Sequence, residues 1–172
     1  LNIEDDKSEK ILNLSKNILN IGFAWCGNPK YPNDKYRSIP LNNFKKIVKI
    51  KNFKFFKLQT LLRSYELDEF KSYSDIKDLG EKNFFDLSKC LKELDIVVSS
   101  DTSIIHLCGL LNIKAYMLLN YNSDWRWFFD EKKTFWYPSI KIIKQKKINE
   151  WNFVFEKLEA ELMNLYNNKF KA

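Results

Sequence analysis

The chain has 172 residues, of which 45% are hydrophobic and 16% aromatic, a globular composition with length enough for one domain and a proper core. Its net charge of +7 is scattered apart from the short basic run 144–147, so a solvated Lys-rich surface is the commoner explanation and a nucleic-acid groove the rarer one. No signal peptide and no apolar run long enough to span a membrane is present.

In chain order, residues 1–20 include an amphipathic helix with Ile11, Leu12, Leu14, Ile18 and Leu19 set among charges. Residues 21–25 read as a first buried strand. Residues 26–40, CGNPKYPNDKYRSIP, form a long loop holding Gly27 and three of the four prolines. Loops of that length are functional or disordered, and the aromatic and basic residues here argue against disorder. Residues 41–50 predict a helix with Leu41, Phe44, Ile47 and Val48 at core spacing, and 53–58 a second strand ending at Gln59. Residues 60–77 read as mixed helix and loop, and 78–80 as a turn or strand end. Residues 84–94 predict a helix with Leu87, Leu91 and Leu94 on one face and Asp86 near its start.

The centre of the chain is LDIVVSSDTSIIHLCGLLNIKAYMLL. Ile96, Val97 and Val98 have no polar face, as expected of a strand buried on both sides. Ser99, Ser100, Asp101 and Thr102 supply capping oxygens for a buried helix over 104–111, which Asn112 closes. Residues 114–119 read as another buried strand. An aromatic loop over 120–139, a short strand over 140–143 and a long helix over 150–168 complete the chain. The order β-α-β-α-β-α-β-β-α predicts an α/β fold, an open parallel sheet with helices on both faces.

In such a sheet the loops at 26–40, 99–102 and 120–139 emerge on one edge, where ligands bind. Asp101 reads as an N-cap that fixes its turn by accepting backbone amides. Thr102 and Ser103 place short hydroxyls at a helix start, whose unpaired amides and partial positive charge suit an anion. His106 is the one histidine, four residues beyond Thr102 on the same helical face. It is either a core histidine satisfied by a carbonyl or a binding group. With no nucleophile or base partner in view, binding is favoured over proton transfer. Lys30, Lys35 and Arg37 are solvated charges taken singly, or could neutralise a diphosphate. No Walker loop, GxGxxG run or zinc spacing occurs. Cys90 and Cys108 read as small core hydrophobes, and three cysteines without redox spacing suit a reducing cytoplasm. Trp125, Trp127 and Trp136 are too apolar for a solvated loop, so at least two are expected to be buried, with the loop folded over the sheet edge beside the site.

Three segments, WCGNPKYPNDKYRSIPL, VVSSDTSIIHLCGLL and DWRWFFDEKKTFWYPSIKIIKQ, resemble bacterial glycosyltransferases that carry tetratricopeptide repeats. More distantly the chain is similar to heptosyltransferases of glycosyltransferase family 9, with their D-T-G-x-x-H signature, and to O-linked N-acetylglucosamine transferases. The resemblance covers about 21–157. It implies a Rossmann-like domain, the carboxyl-terminal, nucleotide-sugar-binding half of a GT-B glycosyltransferase. Asp101, Thr102 and His106 would match the signature, with Ser103 where its glycine stands. The first loop would contact phosphate through Lys35 and Arg37 rather than Lys30, and Gln59 would face the donor. Residues 1–20 resemble the connector ahead of that domain, which would then span 21–172. The acceptor, its site and the catalytic base would lie with an amino-terminal half outside these residues, as the initial Leu also suggests. No cofactor or metal is needed on this reading, and no nucleic-acid partner or membrane span is expected. The alternative is a non-catalytic nucleotide- or sugar-binding module of the same fold.

Overall fold

The computed structural model describes residues 11–60, 62–80, 82–127 and 134–171. Six parallel strands make one open sheet in the order β3-β2-β1-β4-β5-β6, formed by Leu19–Ala24 (β1), Phe53–Lys57 (β2), Ile76–Asp78 (β3), Ile96–Ser99 (β4), Ala115–Leu119 (β5) and Ile140–Lys144 (β6). The helices are Asp34–Arg37 (α1), Ser64–Lys71 (α2), Phe84–Glu93 (α3), Ser103–Leu110 (α4) and Asn152–Phe170 (α5). Side chains alternate across the pleat and feed two cores. Ile21, Phe23 and Trp25 face a layer that includes Phe44, Phe70 and, from α5, Phe155 and Leu158. Ala24, Phe56, Val97 and Met117 face α3 and α4 through Leu87, Leu91, Ile105 and Cys108. The central strands β1, β4 and β5 are buried on both faces, which explains their nearly unbroken apolar runs.

The strand over 76–78 escapes periodicity because it has three residues, of which only Ile76 is buried. The expected helix over 41–50 is instead two 3-10 segments, Leu41–Lys45 and Ile47–Lys49. Leu41, Phe44 and Ile47 stand three apart, the spacing that lines up on a helix of three residues per turn. Residues 11–18 are not helical either, and the part of that reading over 1–10 lies outside the described residues. The amides of Ile11 and Leu12 bond the Glu93 carboxylate at 2.8 and 3.0 Å, and Asn17 takes a positive φ of 57° that no helix continues. Cys90 and Cys108 are buried free thiols, as expected of core hydrophobes, and Cys26 joins them. Among the described residues no helix is long and apolar enough to cross a membrane.

Candidate functional site

Strand order reverses between β1 and β4, so the connections leaving their carboxyl ends diverge in opposite directions and open a crevice. A cleft of about 1410 Å³ lies there, lined by Cys26, Gly27 and Arg37 after β1, Gln59 and Thr60 after β2, and Asp101 to Ile104 with His106 after β4. Asn120 to Arg126, without Tyr121 and Trp125, close it from the loop after β5. That volume exceeds the few hundred to 1,000 Å³ of an ordinary small-ligand pocket and has room for an extended ligand. Of the residues singled out in the sequence, Arg37, Gln59, Asp101, Thr102, Ser103 and His106 share this one cleft. Lys35 does not line it; its ammonium sits over the Tyr36 ring, 4.8 Å from the centroid.

Helix α4 begins where it does because Thr102 is extended (φ −137°, ψ 172°) and Ser103 enters the helix. Asp101 was expected to cap this helix, but Thr102 holds the N-cap position and no side-chain cap bond forms. The Thr102 hydroxyl is also committed elsewhere, 3.0 Å from Ser99 Oγ, which itself donates to the Ser100 carbonyl. Ser103 is exposed at the helix start, so its hydroxyl and the first-turn amides are the donors that face the cleft. Gln59 is buried, accepts from the Cys26 amide through Oε1 at 3.2 Å, and keeps Nε2 as a donor.

His106 stacks on Trp127 (centroids 5.1 Å, 26°), and its Nδ1 lies 3.1 Å from the Tyr137 hydroxyl. Tyr137 reaches it because Gly109 offers no side chain: a Cβ there would overlap the phenol ring, with Cδ2 at 2.8 Å. Burial lowers the His106 pKa against the pull of Asp101, which keeps the ring neutral at neutral pH. The tautomer in which Tyr137 donates to Nδ1 leaves Nε2–H to donate to a ligand oxygen.

Burial raises the Asp101 pKa, while the Trp127 indole, Arg37 and His106 pull it back down. A folded pKa above the unfolded one means stability that is present below the usual carboxylate range and lost as pH rises through the folded value. Asp101→Asn is therefore expected to be at least as stable as the parent at pH 7, with its advantage shrinking in acid. Thermal melts between pH 3 and 7 check this, and a large loss at pH 7 would restore the capping role.

Two features escaped the sequence reading. Lys82 lines the cleft, and among the described residues it makes no ion pair. It follows β3, so recognising that strand would have put its loop on the same edge. The three tryptophans of the aromatic loop also differ from expectation, since of them only Trp127 is buried, while Trp125 and Trp136 are 70% and 56% exposed. Trp125 carries the Arg126 guanidinium over its ring face at 5.1 Å, and Trp136 Nε1 donates to the Arg126 carbonyl at 3.0 Å, so each meets Arg126 at the surface, one through its π face and the other through its N–H.

The fold is the Rossmann-like open parallel sheet of the GT-B glycosyltransferases. No family model matches the chain, and no curated protein matches it in sequence. Solved structures do. An E. coli ADP-heptose LPS heptosyltransferase II is 13% identical with a TM-score of 0.58, over 91% of this chain and 49% of that one. An E. coli heptosyltransferase solved with ADP is 12% identical with a TM-score of 0.62, over 89% and 46%. A glycosyltransferase of family 9 from Veillonella parvula is 12% identical with a TM-score of 0.60, over 90% and 48%. At such identities the likeness is one of fold, and the chain spans about half the length of each.

Proposed function

We propose that this chain is the donor-binding, carboxyl-terminal half of a cytoplasmic glycosyltransferase, as in the tetratricopeptide-repeat enzymes its sequence resembles. It binds a nucleotide-diphosphate sugar for transfer to an acceptor held by an amino-terminal half, with residues 1–20 leading in from that half. The observation that carries this reading is the cleft at the strand-order reversal, where the start of α4, His106, Arg37 and Gln59 converge. The similarity of fold to a heptosyltransferase solved with ADP supports it.

In the reaction an acceptor hydroxyl attacks the anomeric carbon and the bond to the diphosphate breaks. The leaving group departs with its electron pair, and the acceptor proton goes to a base in the other half. This half contributes charge stabilisation: the Ser103 hydroxyl and first-turn amides, the His106 Nε2–H and the Arg37 guanidinium surround the leaving diphosphate. The Thr102 backbone shapes the turn, and Asp101 lies beside the anion without bonding it.

Calorimetric titration with ADP, UDP, GDP and CMP tests the reading. One nucleotide is expected to saturate a single site, and His106→Ala to weaken it while leaving thermal stability nearly unchanged. The chain alone should transfer no sugar. Absence of binding by all four nucleotides, or unchanged affinity in His106→Ala, would overturn the assignment.

A further inference from the structure

Arg37 is held by a buried ion network that does not itself line the cleft. Asp34 is 2% exposed, and its Oδ1 accepts from Arg37 Nε at 3.0 Å. Its Oδ2 accepts from Ser38 Oγ at 3.0 Å and from Arg63 Nη2, and that same nitrogen donates to Ser38 Oγ at 2.9 Å. Arg63 is fixed in turn at the start of α2, where its amide bonds Glu66 Oε2 at 3.1 Å. Tyr31 lies against the guanidinium, 4.7 Å from ring centroid to Arg37 Cζ. The cluster is balanced, with Arg37 and Arg63 against Asp34 and Glu66.

Gly27, the third residue beyond the Ala24 end of β1, completes the cradle. A Cβ on it would stand 2.8 Å from Arg37 Cζ and 2.5 Å from Asp34 Oδ1, and would overlap Arg37 Nη2. The ion pair thus lies directly across the bare Cα. Gly27 has no positive φ, so its lack of a side chain serves this close approach and not an unusual backbone. With Nε engaged by Asp34, Nη1 and Nη2 bond no described residue, and the Arg37 charge reaches Asp101 on the far wall.

We infer that Asp34 and Gly27 are positioning residues: they lock the Arg37 fork toward the anion site, so that its orientation is set before the ligand arrives. The inference rests on the anion-binding reading given above. An unheld arginine would lose side-chain entropy on binding, whereas this one has already lost it on folding. A guanidinium fixed through Nε presents two parallel donors, the geometry that matches phosphate oxygens.

The test is titration with inorganic pyrophosphate, with a nucleoside diphosphate series alongside, of the parent, Gly27→Ala, Asp34→Asn, Arg37→Ala, and the first two each combined with Arg37→Ala. Gly27→Ala removes no charged or hydrogen-bonding side chain; its Cβ displaces the guanidinium and the Asp34 oxygen that faces it, so the two variants disturb the pair by different routes and either serves if the other fails to fold. Gly27→Ala and Asp34→Asn are each expected to weaken pyrophosphate binding by about tenfold or more, the worth of a well-placed charge-assisted contact. In the Arg37→Ala background neither should weaken it further, because the residue they position is gone. Parental affinity in Gly27→Ala, or equal losses with and without Arg37, would overturn positioning while leaving the functional reading standing. A parent that binds neither pyrophosphate nor any nucleoside diphosphate would overturn both.

Discussion

Glu66→Ala is expected to destabilise the fold by about 3–5 kcal/mol, the cost of removing one partner from a buried ionic cluster. Glu66 is 2% exposed and serves three polar groups at once, one on Trp25 and two on Arg63. Its Oε1 accepts from Trp25 Nε1 at 2.9 Å, tying the end of the first strand to α2. Its Oε2 accepts from the Arg63 amide at 3.1 Å, half of a capping box at the helix start. Arg63 Nη1 stands 3.7 Å from Oε1, so the carboxylate also balances the guanidinium that holds Asp34. Burial and the Glu66 charge push the Cys26 thiol up to about 12, so the thiol stays protonated beside Oε2 at 3.8 Å. Alanine would orphan a buried indole N–H and leave Arg63 short of a counter-charge. Glu66→Gln keeps the shape and one acceptor but turns an amide donor toward other donors, so its loss should be intermediate. Thermal unfolding should show the alanine variant falling by roughly 10 °C for a chain of this size. A midpoint within a degree or two of the parent would show that the cluster contributes little.

That cluster marks the limit of what the sequence discloses. The core unit from β4 through α4 to β5 is legible because its strands are covered on both faces and its helix is buried, which forces continuous apolar runs. Arg37, Gln59 and the 101–106 segment are legible as edge residues because a parallel sheet gathers every strand's carboxyl end on one side. The pairing of Asp34 with Arg63, 29 positions apart, leaves no local trace, and each residue alone reads as a solvated charge. Lys82 is hidden for a related reason, since β3 is too short to show a period. Thr102 reads as a ligand donor because its type and place are right; only the Ser99 hydroxyl across the turn reveals that its own is occupied. Trp125 and Trp127 are two apart with opposite fates, decided by a single 3-10 turn that points one inward.

Trp127 is the second position where a large effect is expected, and its two substitutions should diverge. The indole is fully buried in the core layer shared with Ile105, Cys108 and Met117, and it is the surface on which His106 lies. Trp127→Ala leaves a cavity under that ring and should cost about 3–5 kcal/mol. It should also weaken nucleotide binding, because His106 would keep Tyr137 as its one aromatic neighbour among the described residues. Trp127→Phe is a different experiment. Nε1 is buried without a partner of full hydrogen-bond geometry, yet the indole stands close enough to favour the charged form of Asp101. Phenylalanine removes that unsatisfied donor, a relief of about 1–3 kcal/mol that offsets much of the lost ring area. It should therefore be far milder than alanine. Because the indole pulls the Asp101 pKa down, its removal should move that pKa further up, so the acid-side dependence of stability shifts to higher pH. Denaturant unfolding of both variants across pH 3 to 7, read with an Asp101→Asn control, separates the effects. If phenylalanine costs as much as alanine, or leaves the pH profile where it was, the indole N–H does not act on Asp101 and Trp127 is packing alone.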